Sequence, residues 1–121
     1  MGLKKILIVD DSQAETRLIQ SVLQEAGYWP VALNDPLRVE QIVEMERPAL
    51  ILLDVVMPQR NGFQVCRDLK GSEQFGRIPI VLVTSKSTAS DKFWGQQQGA
   101  DGYVTKPFTP AQLLGEVKRF V

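Results

Sequence analysis

The sequence predicts an α/β fold built around a five-stranded parallel sheet. Short runs of valine, isoleucine and leucine alternate with longer stretches of helical period, and the alternation repeats as five strand-and-helix pairs. One run, ALILLD at residues 49–54, is hydrophobic at every position until its last. A strand that is apolar throughout, instead of at alternate positions, is covered by helices on both faces and belongs at the centre of a parallel sheet. The 121 residues fit one ordinary domain, long enough to bury a core without disulfides or structural metals.

The first strand is KILIVD, Lys5 to Asp10. Ser12 and Glu15 stand as a capping-box pair. Leu18, Ile19, Val22, Leu23 and Ala26 follow at three- and four-residue spacing, and Gly27 ends that helix. YWPVALN, residues 28–34, is a strand containing Pro30, which has no N–H for a ladder, so it belongs on the sheet edge. Asp35 and Pro36 occupy an N-cap and a first helical position, opening a helix through Met45 that ends before Arg47 and Pro48. ALILLD is the third strand, and a third helix runs from about Gly62 to Lys70. Polar GSEQFGR leads to the fourth strand, IPIVLVTS, and Asp91 to Gln98 is helical. ADGYVTKP carries the fifth strand; Thr109 and Pro110 start a last helix with Leu113, Leu114, Val117 and Phe120 on its apolar side. Phe93 and Trp94 read as packing residues of the fourth helix, with a partner surface as the alternative for the tryptophan.

Composition excludes several classes of function. Basic and acidic residues both number 14, so no net charge draws the chain toward nucleic acid or acidic membranes. No segment approaches the roughly 18 apolar residues of a membrane span. The absence of histidine removes His-based metal sites, catalytic triads and imidazole pH switching. Cys66 stands alone, which rules out an internal disulfide, suits a reducing cytoplasm, and reads as a buried, inert thiol. The start, MGLKKILIVDD, imitates a signal peptide, but its apolar run is short and meets two aspartates. A myristoylation signal fails too, because Ile6 stands where Ser or Thr is needed.

In a parallel sheet the residues that follow each strand reach one edge, where ligands bind near the switch in strand order. Asp10 and Asp11 follow the first strand, Asp54 ends the third, Thr84 and Ser85 follow the fourth, and Lys106 follows the fifth. Asp10 and Asp11 admit two readings from spacing alone, helix N-terminal caps or metal ligands. Three crowded carboxylates repel unless a cation lowers the charge, and all-oxygen ligation with room for water suits magnesium. An aspartate beside magnesium, a lysine and a hydroxyl is equipped for phosphoryl transfer, where catalysis is mostly positioning and charge neutralisation. Asp54 would then be the nucleophile and carry an aspartyl-phosphate, with Lys106 and the metal balancing its oxygens and Thr84 donating a hydrogen bond to one of them.

With these residues in place, the chain resembles a known family, the receiver domains of two-component response regulators, and in particular the stand-alone CheY-like proteins. The landmarks are ILIVDDS, LLDVVMPQRNG, VLVTS and GADGYVTKPF, in the family's order and spacing, over nearly the whole of residues 1–121. The resemblance implies a flavodoxin-like (βα)5 three-layer sandwich of strand order 2-1-3-4-5, the order for which CheY itself is a standard example. It implies that Asp54 is the phosphoacceptor, and that Asp11, Asp54 and the backbone carbonyl of Val56 ligate Mg2+ with Asp10 helping through water. It further implies that Thr84 and Lys106 contact the phosphoryl group, that Tyr103 follows Thr84 as a switch, and that the Lys106–Pro107 peptide is cis. Met57, Pro58 and Gly62 shape the loop beyond Asp54.

Val56 stands at a position that varies among receivers. An apolar side chain there cannot orient a hydrolytic water, so slow self-dephosphorylation is expected. Lys86 is the other variable position at the mouth and bears on donor or phosphatase access.

The function implied is a cytoplasmic signalling switch, not an enzyme. It would take a phosphoryl group from a sensor histidine kinase, CheA-like kinases included, and change its fit for a protein target at the face of the fourth helix, fifth strand and fifth helix. A monomer is expected, with no direct contact to nucleic acid or membrane. SDKFWGQQQGADGY resembles the twitching-motility and phototaxis branch, which points to motility or taxis control. The sequence stops at Val121 without a linker or helix-turn-helix pattern, which favours a single-domain switch. The alternative is a receiver cut from a larger DNA-binding regulator. A magnesium phosphohydrolase of the haloacid-dehalogenase kind is a further alternative, but its D-x-D signature is missing, since Asp54 is followed by Val55 and Val56. A flavin-binding electron carrier lacks its phosphate loop.

Overall fold

The structure, a computed structural model, describes residues 3–121. Met1 and Gly2, on which the myristoylation reading turns, lie outside the described residues. Five parallel strands stand in the order β2-β1-β3-β4-β5: β1 Lys5–Val9, β2 Trp29–Leu33, β3 Leu50–Leu53, β4 Ile80–Thr84 and β5 Gly102–Thr105. The helices between and after them are α1 Gln13–Glu25, α2 Val39–Glu46, α3 Gly62–Lys70, α4 Ala89–Gln97 and α5 Pro110–Val117.

Alternate residues of the central strands supply two cores. Ile6 and Ile8 of β1 join Leu50, Leu52, Val81 and Val83 against α1 and α5. Leu7 and Val9 join Ile51, Leu53 and Leu82 against α2 and α3 on the opposite face. All of β3 is buried, which is why its sequence shows no alternation. β2 lies on an edge, where Pro30 pairs with Ile6 and no further strand needs its missing N–H.

Several local expectations are corrected. Pro36 does not open α2; Pro36–Arg38 form a 3-10 turn, capped by the Asp35 side chain, and α2 starts at Val39. The Ser12–Glu15 pair makes half a capping box. The Ser12 hydroxyl accepts from the Glu15 N–H, but the Ser12 N–H goes to Asp10 Oδ1 at 3.0 Å. α4 starts earlier than Asp91, because Thr88 and Asp91 cap each other reciprocally. α5 ends at Val117, and Phe120 packs from the turn beyond it. Leu18, Phe93 and Trp94 are exposed by half or more and are not core residues. The physical reason for α4 is Gly95, the helix's one buried residue: a Cβ there would meet Leu82 Cδ1 at 2.9 Å and the Tyr103 ring at 3.3 Å. The helix lies so close through this glycine that its large side chains are left on the outside.

Candidate functional site

The parallel sheet brings the ends of β1, β3, β4 and β5 to one edge, over a cavity of about 590 Å3 lined by Asp10, Asp11, Asp54, Val56, Ser85 and Lys106 among others. Ladder bonds run up to that edge. Asp10 N–H donates to the Leu33 carbonyl at 3.1 Å, Asp54 N–H to Val9 at 2.9 Å, and Lys106 N–H to Thr84 at 2.9 Å. The residues that leave the sheet first are therefore the ones whose side chains meet.

Asp10 and Asp54 are buried and Asp11 is exposed. One carboxylate oxygen from each lies within 4.8 Å of the other two, so the cluster is able to hold a metal ion. Three hard carboxylate donors partly open to water match magnesium or a similar oxygen-seeking cation. The Lys106 ammonium reaches in from β5, 2.7 Å from Asp10 Oδ2 and 3.8 Å from Asp54 Oδ2. Glu15, expected only as a capping residue, stands 3.7 Å from the same nitrogen and lines the cavity. The Lys106–Pro107 peptide is cis.

These contacts set the ionisation of the pocket. Burial pushes the Asp54 carboxyl above its ordinary value; Lys106 pulls it down and the Asp10 charge pushes it up again, leaving a net rise. Burial alone would lower Lys106, but its hydrogen bond to Asp10 and the charges of Asp54, Asp10 and Glu15 outweigh it and raise its pKa. Asp54 is thus a carboxylate whose charge is uncomfortable without a further cation.

Two neighbours of the cavity are linked through one backbone. Thr84 is fully buried and its hydroxyl oxygen accepts the Lys86 N–H at 3.3 Å. The Tyr103 hydroxyl donates to the carbonyl of the same Lys86 at 2.5 Å. Burial, followed by the charges of Asp91 and Asp54, pushes Tyr103 up to about 12. Ser85, not Thr84, lines the open cavity. Beyond Asp54, Val56 is exposed at the mouth while Met57 sinks into the core. Gly62 closes the loop: a Cβ there would run into the backbone carbonyl of Asp54, so the close approach requires glycine. Arg60, which no local pattern in the sequence singles out, is held in this loop by partners far away along the chain.

The sequence matches the response regulator receiver domain family over residues 6–118. The chain belongs to that family, and it is a receiver domain of two-component signalling with a CheY-like fold. It is 39% identical over 115 residues to the alkaline phosphatase synthesis transcriptional regulatory protein PhoP of Bacillus subtilis, a match covering 95% of this chain and 47% of that one. It is 37% identical over 110 residues to protein PilH of Pseudomonas aeruginosa, covering 91% of each. The chain thus spans about half the length of PhoP and most of the length of PilH. Among solved structures, the chemotaxis protein CheY4 of Vibrio cholerae superposes with a TM-score of 0.92 at 30% identity, covering 99% of this chain and 100% of that one.

Proposed function

We propose that the protein is a phospho-accepting switch in which Asp54 takes a phosphoryl group from a sensor histidine kinase. The observation that carries this reading is the buried Asp54 carboxylate, facing a cavity that it shares with Asp10, Asp11 and a single ammonium. An Asp54 oxygen attacks phosphorus as the P–N bond of the donor phosphohistidine breaks. The freed imidazole nitrogen takes up a proton from solvent, and an acyl phosphate forms on Asp54. Asp11, Asp54 and the Val56 carbonyl, with Asp10 helping through water, would hold Mg2+, which when bound would supply charge neutralisation for the transferring group. Lys106, already 2.7 Å from Asp10, lies within reach to balance the phosphoryl oxygens.

The readout starts at Thr84. Its hydroxyl oxygen accepts from the Lys86 N–H, and as a hydroxyl it also has a proton to donate to a phosphoryl oxygen. A shift of Thr84 would disturb the Lys86 backbone that also holds Tyr103, and so bias the surface of α4, β5 and α5. That surface carries the exposed Phe93 and Trp94, suited to a protein target in the cytoplasm. Similarity to a chemotaxis protein favours motility or taxis; similarity to PhoP favours a second reading, the receiver portion of a transcriptional regulator.

The test is incubation with acetyl phosphate and Mg2+, followed by intact mass spectrometry of wild type and Asp54→Asn. Uptake of one phosphoryl group by the wild type alone is expected. With Val56 at the mouth unable to orient water, the adduct should decay slowly. Absence of uptake with and without magnesium would falsify the phosphoacceptor reading.

A further inference from the structure

The loop between β3 and α3 carries, on the reading above, both Asp54 and the Val56 carbonyl. Its own backbone bonds are local: Arg60 N–H to the Pro58 carbonyl at 2.7 Å and Gly62 N–H to the Val55 carbonyl at 2.8 Å, with Gln59 in the left-handed region at φ 68°. The Met57 side chain anchors one side of the loop in the core. The other side is held by the guanidinium of Arg60, whose side chain is 15% exposed. Its Nη1 donates to the Pro36 carbonyl at 3.1 Å and to Glu40 Oε1 at 2.8 Å. Its Nη2 donates to Glu40 Oε2 at 2.6 Å and to Asp68 Oδ2 at 2.9 Å.

One planar cation therefore ties the loop to the turn before α2, to the first turn of α2 and to α3. Only an arginine presents the forked donors that grip a carboxylate with two parallel bonds while reaching a third group. The consequence is visible on Glu40, whose carboxyl the Arg60 hydrogen bonds hold below the usual range despite burial. The Arg119–Glu116 pair, by contrast, stays within one helix end with its arginine 57% exposed, and restrains nothing but itself.

We propose that Arg60 is a positioning residue for magnesium binding: clamped between Glu40 and Asp68, it fixes the loop so that Val56 already stands at the wall of the acidic cavity before the ion arrives. The proposal rests on the magnesium-dependent reading above. A loop fixed in advance leaves less ordering for the ion to impose, which raises affinity without a direct contact. Arg60 touches neither the cation nor the phosphoryl group.

The test is calorimetric titration of the intact protein with MgCl2, together with hydrogen exchange of the loop amides in metal-free protein. Wild type, Arg60→Met, Arg60→Lys and Glu40→Gln are compared. Outer partners of metal ligands commonly change affinity 10- to 100-fold, so Arg60→Met should raise the magnesium Kd at least about tenfold and speed exchange at residues 55–61. Arg60→Lys, which keeps the charge and loses the fork, should fall between. Unchanged affinity in folded Arg60→Met overturns the proposal. If that variant does not fold, Glu40→Gln, which keeps the side-chain length and removes the charge, must show the same direction of change. Unchanged affinity there is equally fatal. A wild-type protein that takes up no magnesium overturns this proposal together with the magnesium dependence of the proposed function, while the phosphoryl uptake itself is tested separately above; a wild type that binds beside variants that bind equally well overturns only the role of Arg60.

Discussion

The two edges of the sheet handle charge in opposite ways. At the amino edge two carboxylates have cations of their own: Asp101 receives the Lys70 ammonium at 2.8 Å and the Ile80 N–H at 2.9 Å, and Glu46 receives Lys5 at 3.1 Å. Lys5 also lies over the Trp29 ring, 4.4 Å from its centroid. At the carboxyl edge Asp10, Asp54 and Glu15 all turn to the single ammonium of Lys106, and Asp11 stands close by. A balanced edge is finished when the chain folds. An unbalanced edge holds unfavourable charge that only a ligand can neutralise, which is why perturbed carboxylates mark sites.

The largest test of that contrast removes the cation on each side. Lys106→Met leaves Asp10 and Asp54 facing each other without compensation, and metal-free stability in urea unfolding should fall by about 3–5 kcal/mol, part of it recovered by magnesium. Lys70→Met exposes no such cluster, because Asp101 is an exposed residue, and should cost only about 1 kcal/mol with no response to magnesium. Equal losses would break the comparison.

A smaller effect concerns the balanced side. Cys66 is buried near Lys70 and Asp101, and burial above all pushes its thiol up to about 11 from 9.0. A folded-state pKa above the unfolded one means the protonated thiol stabilises fully below about pH 9, and that contribution is lost as the pH climbs toward about 11. Stability measured across that window should therefore decline more steeply in wild type than in Cys66→Ala. Parallel curves would mean that the thiol is not held protonated by the fold.

Much of this contrast is legible in the sequence, for reasons that differ by element. ALILLD announces a doubly covered strand because burial on both faces abolishes alternation, and the aspartate at its end stands out against that run. The carboxyl-edge cluster follows from topology alone, since parallel strands send their next residues to one side. What escapes the sequence is set by contacts distant along the chain or by small residues. α4 packs through Gly95, so no apolar stripe betrays its inner face, and Phe93 and Trp94 imitate packing residues. Arg60 finds Glu40 across the fold, and neither residue carries a local signal of the other. Glu15 looks like half of a capping box, and the competing bond from Ser12 N–H to Asp10 leaves its carboxylate facing the cavity.

The most direct test of the contrast makes the same substitution at both edges and follows thermal unfolding of the metal-free protein. Burial and the Asp10 charge disfavour ionised Asp54 and raise its pKa, so at neutral pH its charge costs stability, and Asp54→Asn should raise Tm. Asp101→Asn loses an ion pair that is already satisfied and should lower it. Opposite shifts are what an unbalanced site edge and a balanced structural edge require; two shifts of the same sign would contradict the account.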